Sequence, residues 1–285
     1  MGLNEHFLGL MIGLKEKGYL NGSRVMELGA QQLSDAFLKD RAAQEKLGGL
    51  FGKAPAQLPV LPGSTAGLQP GSEPYARPFY EALGYEYGCI DIDGTPQALA
   101  LDLNYDEVPP EYRGRYDLVT NFGTTEHVIN QLNAFKIIHD LTAPGGVMIH
   151  ELPAQGLIDH GLLAYNPKFF RMIGANNSYE TLFFDFRWTE IRGVLPINIV
   201  AEIESYLSTV GRPLCGISEA VLFVAHRKTR DGPFVPPIDV QRGTQAPSSV
   251  IADRYWPTFR AKPRNRLHKY YRLLRRAAAL WVMRR

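Results

Sequence analysis

The sequence has two cysteines, Cys89 and Cys215, among 285 residues. Two thiols cannot build a disulfide framework or a four-thiolate zinc site, and their scarcity fits a reducing compartment. No stretch reaches the roughly 18 consecutive apolar residues that a membrane span needs. The apolar stretch Phe7–Leu14 follows Glu5 rather than a basic segment, so it does not read as a signal peptide. There is no internal repeat. The seven histidines show no ligand spacing with each other or with the cysteines, so no metal site is expected. Disorder is excluded from the other side, because 45% of the residues are hydrophobic and 11% aromatic.

Charge of one sign is missing from one segment. Residues 260–285 carry ten of the 31 basic residues and no carboxylate, which leaves the preceding chain with 21 basic residues against 29 acidic ones. A body with a formal charge of −8 beneath an overall +2 is a poor non-specific binder of nucleic acid, and no nucleic-acid partner is expected outside the tail. Within the tail, Leu267, Tyr270, Tyr271, Leu274, Ala278, Trp281 and Val282 share one helical face. Such a basic amphipathic helix suits an anionic membrane surface, or docking on the acidic body or on a second copy of the chain.

Strand and helix patterns alternate through the body. Apolar residues at helical spacing predict a helix from Asn4 to Lys17. Arg24–Leu28 reads as a buried strand closed by Gly29, and Gln31–Leu47 as a helix. Residues 48–74 hold seven Gly and Pro between Pro55 and Gly71 and read as an insertion or lid. A short helix over residues 74–83 leads to strands at Tyr87–Asp93, Ala98–Leu103 and Tyr116–Phe122. A helix over 125–141 then leads through Pro144-Gly145-Gly146 to a strand at Val147–Leu152. Asn166-Pro167 opens a further helix, and the β-rich runs 179–188 and 217–226 complete the sheet. The fold class is therefore α/β, a doubly wound, mostly parallel sheet with flanking helices. Residues 1–230 form that domain, residues 231–259, with five prolines, a linker or strap, and residues 260–285 the basic tail.

Ligands of such sheets bind beyond the carboxyl ends of the strands. After strand one stand Glu27, Gly29 and Ala30, but Gln31 occupies the second glycine position of a dinucleotide fingerprint, leaving a pyrophosphate less room. Asp91 and Asp93 end the second strand, where a carboxylate can accept both hydroxyl protons of a ribose. Asp93 suits capping the next segment as well as assisting.

The order Glu27-Leu-Gly-Ala, Ile90-Asp-Ile-Asp, Tyr116-Asp-Leu-Val, Thr125-Glu-His-Val and Leu141-Thr-Ala-Pro-Gly-Gly resembles the class I S-adenosylmethionine-dependent methyltransferases over residues 22–152. The resemblance implies a Rossmann-like fold and S-adenosyl-L-methionine as cofactor. By the same resemblance Glu27, Gly29, Ala30 and Asp91, with Asp93, are cofactor residues. Asp102 and Leu103 border the adenine, and Asn121, Phe122 and Gly123 lie under the sulfonium. Two departures are Gln31 and the long excursion between strands one and two.

A hydroxyl acceptor has to lose its proton, and histidine suits that near neutral pH. His127, His150 and His160 all fall on the ligand side, with His160 first in rank. Tyr165 and Asn166, polar-tipped and loop-placed, are candidates for acceptor binding. The expected activity is methyl transfer to an oxygen of a small molecule or glycan unit, in the cytoplasm or at the inner membrane face, as a monomer or homo-oligomer. The rivals are a non-catalytic binding or assembly protein of the same fold and an NAD-dependent oxidoreductase, which the missing glycine fingerprint disfavours.

Overall fold

The computed structural model describes residues 2–64, 66, 73–92, 98–157, 160–190, 218–239 and 250. Asp93, most of the basic tail's approach and the tail itself lie outside the described residues.

Helix α1 (Glu5–Glu16) starts where Asn4 caps it, its side-chain oxygen accepting from the amides of His6 and Phe7. Its face of Phe7, Leu8, Met11 and Leu14 is buried against the sheet and against α3. Strand β1 (Arg24–Leu28) follows. The helix expected from Gln31 to Leu47 is instead an extended stretch and then two helices, α2 (Asp35–Lys39) and α3 (Arg41–Leu50). Residues 32 and 33 are drawn out because they bridge on one side to Leu3 and on the other to Tyr75. The amides of Leu3 and Ala76 donate to the carbonyls of Gln32 and Gln31, both at 2.8 Å. Ser34 then caps α2, and Asp40, with φ −89° and ψ 61°, breaks the helix and caps α3.

Helix α4 (Arg77–Leu83) leads through Gly84, at φ 97°, into β2 (Glu86–Ile90). The strand expected at Ala98–Leu103 does not form. Leu99 makes one bridge to Ile90, after which the amide of Asp102 donates to Asp106 Oδ2 and that of Asn104 to Asp102 Oδ1, closing a turn. Strand β3 (Tyr116–Phe122) is followed by a single 3₁₀ turn at Thr125–His127 and by α5 (Gln131–Leu141), capped by Asn130. Strand β4 (Thr142–Gln155) contains the Pro-Gly-Gly turn. A Cβ on Gly146 would lie 2.9 Å from the carbonyl oxygens of Ala143 and Tyr116, so only glycine fits there. Helix α6 (Pro167–Asn176), capped by Asn166, precedes β5 (Glu180–Glu190) and β6 (Ser218–Arg227).

The sheet order is β2-β1-β3-β4-β6-β5. Strands β2, β1, β3 and β4 are parallel, and β6 runs antiparallel between β4 and β5. One core, built by Phe7, Phe37, Phe79 and Phe122, lies on the α1 face, and a second, built by Leu28, Phe135, Phe170 and Leu222, lies on the α5–α6 face. Residues 231–239 cross the second side. The carbonyls of Gly232 and Val235 meet His139 and Asn177 at 2.8 and 2.9 Å. Among the described residues no helix is long and apolar enough to cross a membrane.

Candidate functional site

The carboxyl ends of β1, β3 and β4 lie side by side, so the loops after them converge. Gly29 turns at φ 73°, and its amide donates to the carbonyl of Ile90 at 2.7 Å. A Cβ there would come within 2.7 Å of Thr124 Oγ1, so the loops after β1 and β3 touch only because position 29 is bare. Gln31 folds back, its amide nitrogen donating to the carbonyl of Leu28 at 3.1 Å. Asp91 Oδ2 accepts the Ala30 amide at 2.9 Å and Oδ1 accepts that of Ile92 at 2.8 Å. Asp91 thereby ties the end of β2 to the turn after β1.

Glu27 lies on the α1 face of β1 and is fully buried. Its Oε2 accepts from Tyr87 Oη at 2.7 Å and from the Gln31 amide at 3.2 Å, while Oε1 has no hydrogen-bond partner among the described residues. Burial pushes its carboxyl up to about 8, against the pull of those donors. Gln31 Oε1 is buried and without a hydrogen bond as well. Leu103 packs in the cluster that holds Leu28, Ile90 and Val128, and its carbonyl accepts from Asn133 at 3.0 Å. The Asp102 carboxylate beside it holds the Asn104 amide at 2.8 Å.

Beyond β3 the positions part company. Asn121 is buried, donating to Thr125 Oγ1 at 2.9 Å, and Phe122 is core, its ring edge-on to Phe7 at 5.3 Å. Gly123, at φ 73°, turns toward β4, with its amide on the carbonyl of Glu151 at 3.1 Å. Glu126 is fully buried, and among the described residues neither of its carboxylate oxygens makes a hydrogen bond. His160 Nε2 stands 3.5 Å and His127 Nε2 3.9 Å from Glu126 Oε1, and the two imidazole centroids are 5.5 Å apart. Burial raises the Glu126 carboxyl to about 7 and lowers His160. The Leu162 and Leu163 amides donate to the Glu126 carbonyl at 2.9 and 3.2 Å, which folds the 160–163 segment over this carboxylate.

His127 and His160 are thus brought together, and His150 is not. Strand alternation turns His150 into the core, 3% exposed, between Phe135 and Phe170 and 3.3 Å from Asn121 Nδ2. Burial lowers its imidazole to about 3, so it stays neutral there. Tyr165 is likewise inside, its hydroxyl 2.6 Å from Gln131 Oε1 and 2.9 Å from Thr125 Oγ1. Asn166 is spent on capping α6. Two acids went unremarked in the sequence. Glu126 sits inside the Thr-Glu-His run, where the neighbouring histidine drew the chemistry. Glu151, within β4 opposite Phe122 at the end of β3, faces α1 and holds Asn4 Nδ2 at 3.0 and 3.1 Å, with burial raising it to about 7.

Residues 68–193 match the model of a family described as a methyltransferase domain. Among solved structures, the YcgJ protein of Bacillus subtilis is 13% identical, with a TM-score of 0.43 over 80% of this chain and 100% of that one. The 1,6-didemethyltoxoflavin-N1-methyltransferase of Burkholderia thailandensis, solved with S-adenosylhomocysteine, is 12% identical, with a TM-score of 0.40 over 78% of each chain. A SAM-dependent methyltransferase of Archaeoglobus fulgidus is 12% identical, with a TM-score of 0.35 over 76% of this chain and 92% of that one. Likenesses this distant carry no argument beyond themselves, and no curated protein matches the sequence. The match to a methyltransferase domain thus falls on residues 68–193 of a sheet that is parallel apart from one reversed strand, with Asp91 directly after β2 and Glu27 near the end of β1.

Proposed function

We propose that the chain moves the methyl group of S-adenosylmethionine to an oxygen of a small molecule, a glycan unit included. The observation that carries this reading is the convergence of a buried carboxylate without hydrogen bonds, Glu126, and two histidines, His127 and His160, one turn beyond the Gly123–Thr124 loop. A polar group of this kind is costly to bury unless something else uses it.

The chain's residues fit the donor. Glu27 Oε1 and Gln31 Oε1 are buried oxygens awaiting donors beside the Gly29 turn, and an ammonium supplies them. Asp91 keeps lone pairs for ribose hydroxyls after serving the Ala30 and Ile92 amides. Leu103, packed in the core beneath, and Asp102 beside it border the position expected for the base. Gly29 and Gly123, both at positive φ, make the turns that bring the loops after β1 and β3 to the same end of the sheet. When bound, the donor supplies an electrophilic methyl on a positively charged sulfur. The protein's remaining work is to hold the acceptor in line and make its hydroxyl nucleophilic. Glu126, His127 and His160 are the groups placed to do that. Tyr165 and Asn166 support the wall without facing it, and His150 fixes Asn121.

The test is a mass shift of one methyl in hydroxyl-bearing metabolites and glycans incubated with the protein and isotopically labelled donor. His160→Ala should lower turnover by about two to four orders of magnitude with donor affinity near wild type. Transfer to amines alone, or wild-type rates in both His160→Ala and His127→Ala, would refute the oxygen chemistry assigned here.

A further inference from the structure

We propose that Glu126, His127 and His160 form a binding site for one divalent first-row metal ion. The inference deepens the proposed function and rests on it only for the ion's role in the reaction, not for its binding.

One ligand atom from each residue lies within 4.8 Å of the others, and these are a carboxylate oxygen and two imidazole nitrogens. A four-coordinate ion with bonds of roughly 2.0–2.1 Å sets neighbouring ligand atoms about 3.3 Å apart. Two of the three separations, 3.5 Å to His160 and 3.9 Å to His127, lie near that value, and the third, between the imidazoles, is no more than 4.8 Å. At 3.5 Å the Glu126–His160 contact falls short of a hydrogen bond. Among the described residues both Glu126 oxygens and His160 Nε2 are buried without hydrogen-bond partners, an arrangement that is expensive to maintain and that an ion satisfies all at once. One carboxylate and two imidazoles leave at least one open position, as in catalytic rather than closed structural sites, and the set suits zinc, cobalt or iron(II) better than magnesium or calcium.

The site is built by the fold. The 3₁₀ turn at Thr125–His127 presents adjacent side chains, and the 160–163 segment clamps onto the Glu126 carbonyl to deliver His160. Gly161 makes that clamp fit, since a Cβ there would lie 2.9 Å from Glu126 Cγ. Histidines far apart in the sequence meet in this way without showing ligand spacing.

In the reaction, an acceptor hydroxyl would fill the open position. The ion would supply Lewis acidity there, so that the hydroxyl's proton would pass to solvent and its oxygen would bond to the methyl carbon as the carbon–sulfur bond breaks, that bond's electron pair going to sulfur. The imidazoles act as ligands, in place of an imidazole taking the proton directly.

The test is titration of the metal-stripped full-length protein with Co²⁺, followed by visible absorption, and with Zn²⁺, followed by calorimetry. We expect one ion per chain, cobalt bands of four-coordinate intensity, and affinity lowered by more than about 100-fold in Glu126→Gln and in His160→Ala. His127→Ala, at a half-exposed position that does not threaten the fold, should also weaken binding, and donor binding verifies that each variant is folded. Absence of stoichiometric binding, or equal affinity in all three variants, overturns the proposal and leaves Glu126 as a buried acid beside His160. A bound ion without methyl transfer to any hydroxyl would sink the oxygen-acceptor reading alone. Transfer to oxygen that survives chelation, with no ion bound, would sink the metal site alone.

Discussion

Replacing Glu27 by glutamine should change the way stability depends on pH. The folded chain holds this carboxyl at about 8 against 4.5 in the open chain, because full burial disfavours the charge. Between those values the unfolded chain has released the proton and the folded chain has kept it, so the native state binds more protons and loses stability as pH rises. The loss is about 1.4 kcal/mol per pH unit, roughly 5 kcal/mol over the whole window, a ceiling that local relaxation lowers. Glutamine keeps an acceptor for the Tyr87 hydroxyl at 2.7 Å and for the Gln31 amide, and it brings no ionisation. Glu27→Gln should therefore match the wild type near pH 5 and exceed it by several kcal/mol near pH 8. Urea unfolding at intervals from pH 5 to 8.5, read by tryptophan fluorescence, measures both curves. Glu126 and Glu151 add slopes of the same sign, but they are common to both proteins and cancel in the difference. Parallel curves for the two proteins would refute the assignment of the carboxyl as protonated in the fold.

Asp91→Ala should cost about 2–4 kcal/mol of donor affinity, a fall of roughly 30- to 1,000-fold by calorimetry, and an unchanged affinity would remove Asp91 from the site. Gly29→Ala forces a Cβ against Thr124 Oγ1 at a positive φ, and should lose about 1–3 kcal/mol of stability along with donor binding. His150→Ala empties a packed position beside Phe170 and strands Asn121, so thermal unfolding should show a loss of about 2–4 kcal/mol. If it instead slows the chemistry of a fully stable protein, His150 has a direct part in the reaction.

Most elements announce themselves locally. The spacing of Phe7, Leu8, Met11 and Leu14 suffices for α1, and the Gly29 and Pro144-Gly145-Gly146 turns bracket the parallel strands. What fails is decided by partners distant in the chain. Gln31–Leu33 carries a helical pattern, yet its backbone pairs with Leu3 and Tyr75, and pairing outweighs propensity. Ala98–Leu103 has strand-like apolarity, but Asp102 and Asp106 hold its backbone in a turn. In the site, the strand-end acids after β1 and β2 were legible because position alone marks them. Strand parity was the harder part, since His150 faces the core of Phe135 and Phe170 while its neighbour Glu151 faces α1 and Asn4. The burial of Glu126 depends on a segment more than thirty positions onward folding back over it, and nothing around Thr125 signals that.

The stretched backbone at Gln31–Leu33 sets the sign of the field at the ligand turn. The first helix after β1 begins only at Asp35 and lasts five residues. A turn opening straight into a long helix would aim about half a positive charge at its ligand, the feature that welcomes phosphate. Here that positive end is displaced from the turn, and the groups that stand there are the Asp91 carboxylate and Glu27, whose ionised form an arriving ammonium favours. Such a turn repels a pyrophosphate bridge and attracts a cationic sulfur and amine, so this sheet would discriminate between donor and dinucleotide by the place where a helix fails to start.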